Sequence, residues 1–194
     1  MDSPISKFNE WFDEARAHPG IKDATAMTLA TAAVDGTPAA RIVLLKGHCA
    51  ESFVFYGNME SRKFQELMVN PKAALVFYWA ALDRQVRIEG SVVRVTDTEA
   101  NDYFATRERG KQIGAWASQQ SRTLTNREEL VGRIADVTMK YEGSDVPRPP
   151  YWSGWRLVPT VIEFWSQGES RLHERNVYSR DHKDAPWRHR LLYP

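Results

Sequence analysis

The chain of 194 residues has few of the features on which several common protein classes depend. Cys49 is its only cysteine, which excludes an internal disulfide and every metal site that needs two or more cysteines. No apolar run approaches the roughly 18 residues of a membrane-spanning helix, and the first twenty residues carry too many charges for a secretory signal. We therefore expect a cytoplasmic protein.

An excess of one charge is also missing. Lys and Arg total 26 against 25 Asp and Glu, which gives a formal net charge of +1 at pH 7. Without a basic excess, the chain has no general electrostatic footprint for nucleic acid or for an anionic membrane. We therefore expect no nucleic-acid or membrane partner, and cationic side chains should act locally.

The motifs of four large enzyme classes are absent as well. The chain has no G-x-G-x-x-G of dinucleotide-binding folds, no G-K-[ST] of P-loop proteins, no H-E-x-x-H of zinc proteases and no G-x-S-x-G of hydrolases. What remains is a set of cationic and amide side chains within apolar segments or at their ends. These side chains are the candidate functional residues.

Hydrophobic residues make up 42% of the chain, enough for the core of one globular domain. The N-terminal segment 1–25 should hold a helix that starts after Ser3 and stops at the His18-Pro-Gly sequence. The chain alternates runs of antiparallel-looking strands with single helices, which predicts an α+β fold around a barrel. Helices are expected over 61–70, from Thr96 and from Thr125. Residues 26–47 should form two strands joined by a turn at Asp35-Gly36, and further strands are expected over 52–57, 73–80, 84–95, 155–166, 171–181 and 187–194.

Two places in the first half of the chain predict anion binding. Arg41 and Lys46 bracket a short apolar run, and an arginine beside a core strand is costly unless it is paired or meets an anion. Arg62 and Lys63 follow Ser61 at a predicted helix start, where free N–H groups and the helix dipole favour a phosphate. A solvated helix turn is the alternative for this second pair.

Further polar groups follow in the middle of the chain. Gln85 lies inside a predicted strand, where an amide is suited to the edge of a heterocycle. Tyr103, Arg107 and Lys111 have the spacing i, i+4, i+8, which predicts one helix face with a phenol and two cations. An ordinary solvated face is the alternative.

The sequence RLHER, residues 171–175, places a cationic or titratable group at every second position. If the segment is extended, Arg171, His173 and Arg175 share one face of a strand and converge on one ligand. The alternative is an edge strand that charge protects from aggregation.

Six segments together, in this order, resemble the pyridoxamine 5'-phosphate oxidase family: RIVLLK, FYGNMESRK, RQVRIEG, YFATRERGKQIGAWASQQS, IEFW and RLHER. The resemblance extends from about residue 26 to residue 194. It implies a homodimer of FMN-binding split β-barrels, with residues 1–194 as one domain, residues 147–194 completing the barrel and active site, and FMN in clefts at the subunit interface. The implied reaction is the oxidation of pyridoxamine or pyridoxine 5'-phosphate by O2 to pyridoxal 5'-phosphate, with release of H2O2.

The resemblance also implies roles for individual residues. Arg171 and His173 would be catalytic, with His173 either orienting the substrate or relaying a proton, and no metal is implied. Lys111 stands where family members commonly have a serine that contacts the substrate phosphate. The implied substrate contacts are Lys46, Tyr103, Arg107, Lys111, Arg171 and His173. The implied FMN contacts are Arg41, Ile42, Val43, Leu44, Leu45, Lys46, Tyr56, Gly57, Arg62, Lys63, Gln85, Gln120, Ser121, Trp165 and Arg175.

Two other functions stay open at this point. A related flavin oxidase of the phenazine-pathway type would share the flavin residues but act on another substrate. A non-catalytic module that carries FMN or pyridoxal 5'-phosphate would bind its ligand and show no oxygen uptake.

Overall fold

A computed structural model describes residues 3–49 and 52–194 of the chain. Met1 and Asp2, which belong to the predicted N-terminal segment 1–25, lie outside the described residues. The α-helices of the described part are α1 (Pro4–Ala17), α2 (Arg62–Val69), α3 (Asp97–Ala105), α4 (Arg109–Ala117) and α5 (Arg127–Lys140). None of these helices has the length and apolar character needed to cross a membrane.

Nine strands form one antiparallel sheet, which confirms the α+β class. The strands are β1 (Ala26–Ala32), β2 (Pro38–Leu44), β3 (Gly47–Cys49), β4 (Ser52–Asn58), β5 (Lys72–Trp79), β6 (Arg84–Arg94), β7 (Trp152–Ser166), β8 (Glu174–Ser179) and β9 (Arg188–Leu192). Their order is β2-β1-β5-β6-β7-β4-β3, with β8 added to β7 and β9 added to β8. The sheet curls, and its two ends therefore meet: the Lys46 amide after β2 donates to the Val54 carbonyl of β4 at 2.8 Å.

Local signals set the first elements as the sequence predicts. Ser3 caps α1 by accepting from the Ile5 amide at 3.2 Å, and Pro4 occupies the first turn. The apolar stripe of α1 packs on the barrel, where the Phe8 ring meets the Phe53 ring edge-on at 4.9 Å. The helix ends at Ala17, so residues 18–25 of the predicted N-terminal segment are not helical. The β1–β2 hairpin turns at Asp35-Gly36, and Gly36 has the positive φ of 84° that this turn needs.

Strand β7 is the longest in the sheet and pairs with three others. Along one edge it pairs with β6 over most of its length. Along its other edge, residues 152–157 pair with β4 and residues 161–166 pair with β8. The register against β6 shifts at Glu89/Gly90, and this irregularity lies where β7 passes from one partner to the other.

Two sequence predictions on helices are wrong, and one short strand was missed. Tyr103, Arg107 and Lys111 do not share one helix, because the chain leaves helical structure after Ala105 and α4 starts anew at Arg109. The cap of α5 is Asn126 rather than Thr125, since the Asn126 side chain accepts from the Glu129 amide at 2.9 Å. Strand β3 was not predicted, because three residues are too few to show a period.

We expect Gly90→Ala to destabilise the protein by about 1–3 kcal/mol, because an added Cβ would lie 2.0 Å from the Val158 carbonyl oxygen and force the backbone apart. Gly132→Ala is the matched control: its Cβ meets nothing within 4 Å, and alanine in the middle of α5 should stabilise by about 0.5–1 kcal/mol. Urea unfolding at one protein concentration measures both. Equal stability of the two variants would contradict this account of the β6–β7 irregularity.

Candidate active site

A cleft of about 670 Å³ opens between β2, the start of α2 and the α3–α4 segment. Both predicted anion-binding places contribute to its lining, the first through Arg41 and Lys46 and the second through Lys63. The predicted site residues that line the cleft are Arg41, Ile42, Val43, Leu44, Lys46, Tyr56, Gly57, Lys63, Tyr103, Arg107, Lys111 and Gln120.

One corner of the cleft is organised by a buried carboxylate, Glu66 of α2. Its side chain is only 7% exposed and binds two arginines: Arg41 Nη2 lies 3.3 Å from Oε2, and Arg62 Nε lies 2.8 Å from Oε1. Thr31 donates its hydroxyl to the same carboxylate. Burial alone would raise the pKa of Glu66, but these hydrogen bonds and the charges of the two arginines lower it. Arg41 therefore has a carboxylate partner within the chain.

Lys63 is the most strongly perturbed group of this corner. Its Nζ donates to the Ser61 hydroxyl at 3.1 Å and to Gln120 Oε1 at 3.0 Å, and both acceptors are neutral. Burial, together with the charge of Arg41, lowers the pKa of the ammonium to about 8. A partly desolvated cation with neutral neighbours is suited to bind an anion.

The start of α2 lies beside Lys63, and the Arg62, Phe64 and Gln65 amides there have acceptors within the chain. Ser61 is the N-cap, as predicted, but its hydroxyl donates to the Asn58 carbonyl at 2.6 Å and does not cap the helix. The Arg62 amide instead donates to the Ser121 hydroxyl at 3.2 Å. This hydrogen bond holds the loop of Ser121 against the helix start. Ser121 itself has a positive φ of 73°.

Aromatic rings form another wall of the cleft. The Tyr56 ring stacks on Tyr103 at 4.2 Å and on Trp152 at 5.3 Å. Gly154 permits this arrangement, because a Cβ there would lie 2.6 Å from Tyr56 Cδ1. The Arg107 guanidinium lies over the Trp152 ring at 4.8 Å. Burial raises the pKa of both tyrosines and lowers that of Arg107.

A second cluster of predicted site residues lies at the other end of β7. Gln85 of β6, Trp165 of β7 and Arg175 of β8 are in register on adjacent strands. Arg175 donates to the buried Glu163 carboxylate through Nε at 2.8 Å and through Nη2 at 3.2 Å. His173 lies near the same strand end, with its ring 4.7 Å from that of Trp165.

The prediction that Arg171, His173 and Arg175 share one strand face is wrong. Strand β8 begins at Glu174, and Arg171 ends a short 3-10 turn in which Ser170 and Arg171 have positive φ angles of 53° and 64°. Gly168 closes this turn so tightly that a Cβ would lie 2.0 Å from the Leu172 carbonyl oxygen. A turn of left-handed residues cannot alternate its side chains as a strand does.

The two clusters lie at opposite ends of β7. Tyr56 pairs with Gly154, near the start of β7, whereas Arg175 pairs with Trp165 near its end. The predicted site residues outside the cleft are Leu45, Arg62, Gln85, Ser121, Trp165, Arg171, His173 and Arg175.

The cleft also contains residues that the sequence analysis missed. They are Asn58, Gly114, Ala115, Ser118 and Trp152. Only Trp152 carried a usable signal, since a large aromatic residue directly after the Pro-rich sequence RPPY begins the strand that holds Gly154. The other four are small or neutral residues without a distinctive pattern.

The chain matches two family models. Residues 13–141 match the pyridoxamine 5'-phosphate oxidase model, and residues 152–194 match the pyridoxine 5'-phosphate oxidase C-terminal dimerisation region. A pyridoxine/pyridoxamine 5'-phosphate oxidase of Myxococcus xanthus is 55% identical over 98% of this chain and 91% of its own length. One of Zymomonas mobilis is 51% identical over 98% of both chains.

Two solved structures resemble the fold. PhzG from Burkholderia lata, in complex with tetrahydrophenazine-1-carboxylic acid, has a TM-score of 0.92 and 30% identity, covering 100% of this chain and 94% of its own. An FMN-binding, pyridoxamine 5'-phosphate oxidase-related protein from Nostoc punctiforme has a TM-score of 0.79 and 14% identity, covering 100% and 98%. These likenesses confirm the predicted split β-barrel.

We expect the affinity of the apoprotein for FMN to fall as pH rises through about 8, because Lys63 then loses the proton that attracts the phosphate. Lys63→Met should weaken FMN binding about tenfold or more at pH 7 and remove most of this pH dependence, since a charge-assisted bond contributes about 1.5–3 kcal/mol. Fluorescence titration from pH 7 to 9.5 measures both effects.

Riboflavin, which lacks the phosphate, is the control ligand for Lys63. Its affinity should be the same for wild type and Lys63→Met. Lys63→Arg should bind FMN with little change over this pH range, because arginine stays charged. An FMN affinity in Lys63→Met equal to wild type at pH 7 would remove Lys63 from the phosphate site.

Proposed function

The chain belongs to the pyridoxamine 5'-phosphate oxidase family, and we propose that it oxidises pyridoxamine 5'-phosphate or pyridoxine 5'-phosphate to pyridoxal 5'-phosphate. It is an FMN-dependent oxidoreductase of that family. In the proposed reaction O2 takes up the electrons and H2O2 is released. The observation that carries the choice of substrate is a cleft with two groups of cations, one for each of two phosphates.

The residues of the cleft fit FMN. Lys63, with neutral hydrogen-bond partners, offers a cation to the FMN phosphate at the start of α2, where the helix dipole also favours an anion. Arg41 lines the same corner and is held by Glu66. The strand β2 residues Ile42 to Leu44 line the cleft beside them and offer backbone groups.

The second group of cations fits a substrate phosphate. Arg107 and Lys111 line the cleft beside the Tyr103 phenol. Burial raises the pKa of Tyr103, and the charges of these two side chains lower it. Lys46 adds a further ammonium. In the proposed complex these four side chains bind the phosphate of the vitamin B6 compound by charge-assisted hydrogen bonds.

We infer that each active site is shared between two protomers. Residues 152–194 match a dimerisation region and include Trp165, Arg171, His173 and Arg175, which do not line the cleft of their own chain. In a two-fold dimer the same surfaces meet twice, so this cluster and Gln85 of one protomer complete the cleft of the other. Exposed Leu172, Leu191 and Tyr193 provide apolar surface for such a contact.

The second cluster then positions the reacting groups. Arg175, fixed by Glu163, offers its remaining N–H donors to FMN. His173 Nδ1 accepts from the Gly168 amide at 3.3 Å, so the neutral ring carries its proton on Nε2. Arg171 and His173 orient the C4' amine or alcohol, and such alignment contributes several kcal/mol to catalysis. Bound FMN supplies the hydride acceptor that the reaction needs.

We also propose that residues 1–194 act as one FMN-binding domain. Segment 147–194 contributes both the strand that places Tyr56 and the cluster around Arg175. Neither half of the active site would form without it.

A second candidate is an oxidase of the PhzG type, favoured by the TM-score of 0.92 to that protein. The ligand of that structure is a carboxylic acid without a phosphate group. Such a ligand would make less use of Arg107, Lys111, Lys46 and Tyr103 together than a phosphate dianion does. A direct test with phosphorylated and unphosphorylated substrates separates the two candidates.

We expect the FMN-loaded protein to release H2O2 with pyridoxamine 5'-phosphate or pyridoxine 5'-phosphate as substrate. Pyridoxamine without phosphate should react with a KM at least about 100-fold higher, because several charge-assisted bonds of about 1.5–3 kcal/mol each are lost. Coupled peroxide and oxygen-electrode assays measure this. FMN-loaded protein that oxidises neither phosphate would defeat the proposal.

We expect two defective chains to restore one active site when they form a heterodimer. Arg107→Gln damages the cleft and His173→Ala damages the second cluster, so each homodimer has two defective sites. A heterodimer purified through two different tags combines both defects in one site and leaves the other site wild type, which gives about half the wild-type kcat/KM.

The heterodimer experiment has a clear opposite outcome. If each site used residues of one chain alone, both sites of the heterodimer would carry one defect and activity would stay at the level of the homodimers. An Arg107→Gln/His173→Ala double variant paired with a wild-type chain is the control. Its two sites are then each singly defective in the shared arrangement, and its activity should be low.

A further inference from the structure

Arg107 is held in the cleft in a different way from the other arginines of the two clusters. Arg41 and Arg175 are each bound to a buried glutamate, Glu66 and Glu163 respectively. The Arg107 guanidinium instead lies over two aromatic rings, 4.8 Å from the centre of Trp152 and 5.4 Å from that of Phe104. Its Nη1 is buried and has no hydrogen-bond partner among the described residues.

Trp152 is itself firmly placed. It is the first residue of β7, pairs with Asn58 of β4 and is only 5% exposed. Its ring stacks on Tyr56 at an interplanar angle of 5° and meets the edge of Phe104 at 5.0 Å. The ring beneath the guanidinium is therefore fixed on both of its sides.

The group that holds a guanidinium determines how much of its positive charge is available to a ligand. A carboxylate holds a guanidinium strongly but offsets its positive charge, as in the Glu66 and Glu163 pairs. An aromatic face attracts the cation through its quadrupole and carries no net charge. Arg107 therefore keeps its full positive charge and unpaired donors for an anion in the cleft.

We propose that Trp152 is a positioning residue for the substrate phosphate, because its ring holds the Arg107 guanidinium in place without neutralising it. This inference rests on the proposed function, in which Arg107 binds that phosphate. It assigns to Trp152 a role in binding the substrate and none in the chemical step. Burial of the guanidinium, which lowers the pKa of Arg107, reduces the screening of its charge by water.

The test compares Trp152→Phe and Trp152→Leu in the FMN-loaded enzyme. Leucine removes the aromatic face, and KM for pyridoxamine 5'-phosphate should rise about 5- to 30-fold while kcat stays within about twofold. Phenylalanine keeps a weaker aromatic face and should give a smaller rise. Trp116→Phe is the matched control, because Lys140 lies over the Trp116 ring at 5.2 Å and Trp116 does not line the cleft; its KM should not change.

A double-mutant cycle shows whether Trp152 acts through Arg107. In an Arg107→Gln background, Trp152→Phe should raise KM by less than about 1.5-fold, since the cation that the ring supports is gone. An equal rise in both backgrounds would overturn the proposal, and so would a fall in kcat with KM unchanged. FMN content and the visible flavin spectrum show whether each variant is folded. If Trp152→Leu does not fold, Trp152→Phe alone is sufficient for the test.

Inorganic phosphate provides a readout that does not depend on turnover. Titrated into FMN-loaded protein and followed by ³¹P line broadening, it should bind Trp152→Phe several-fold more weakly than wild type. If wild type oxidises no vitamin B6 phosphate, the proposed function fails, yet this titration still decides the role of Trp152. Equal phosphate binding by wild type, Trp152→Phe and Trp116→Phe would overturn the positioning role of Trp152.

Discussion

The pairing of β7 with two different strands along one edge is the constraint on which the rest of the structure depends. Its first half holds β4 and so places Tyr56 in the cleft, and its second half holds β8 and so places Arg175 at the opposite end. The change of partner coincides with the register shift at Glu89/Gly90, where a side chain at Gly90 has no room beside the Val158 carbonyl and Pro159 has no N–H to pair. The two partners along this edge of β7 thus divide the predicted site residues into two clusters.

Two kinds of support hold the arginines of these clusters, and the difference follows from burial. Glu66 and Glu163 are both 7% exposed at the side chain, and each is paired with arginine, as the burial of a carboxylate requires. They fix Arg41, Arg62 and Arg175 as parts of the structure, with much of the positive charge offset. Arg107 and Lys63 are held by aromatic rings and by neutral hydrogen-bond acceptors respectively, and burial lowers the pKa of both. No carboxylate therefore offsets the positive charge that these two side chains offer to an anion in the cleft.

Local sequence signals predicted the elements that depend on local chemistry. The caps Ser3 and Thr96, the Asp35-Gly36 turn and most strands lie where the pattern placed them. These signals failed where tertiary contacts determine the local backbone conformation. The turn before β8 contains the left-handed residues Ser170 and Arg171 and brings Gly168 close to the Leu172 carbonyl, and the break between α3 and α4 follows no glycine or proline. Spacing alone indicated two anion sites; the identity of the ligands came from the family resemblance, and no pattern in one chain could show that the clusters lie apart.

Lys111 is paired within the chain, because Glu108 lies 3.0 Å from its Nζ. The pair sums to zero charge, so Lys111 adds little net charge to the cleft while the pair is intact. Both side chains are more than half exposed, and breaking such a pair costs at most about 1 kcal/mol. Lys111 is therefore able to turn from Glu108 to a phosphate at little cost, which leaves Arg107 as the one fixed cation of that corner.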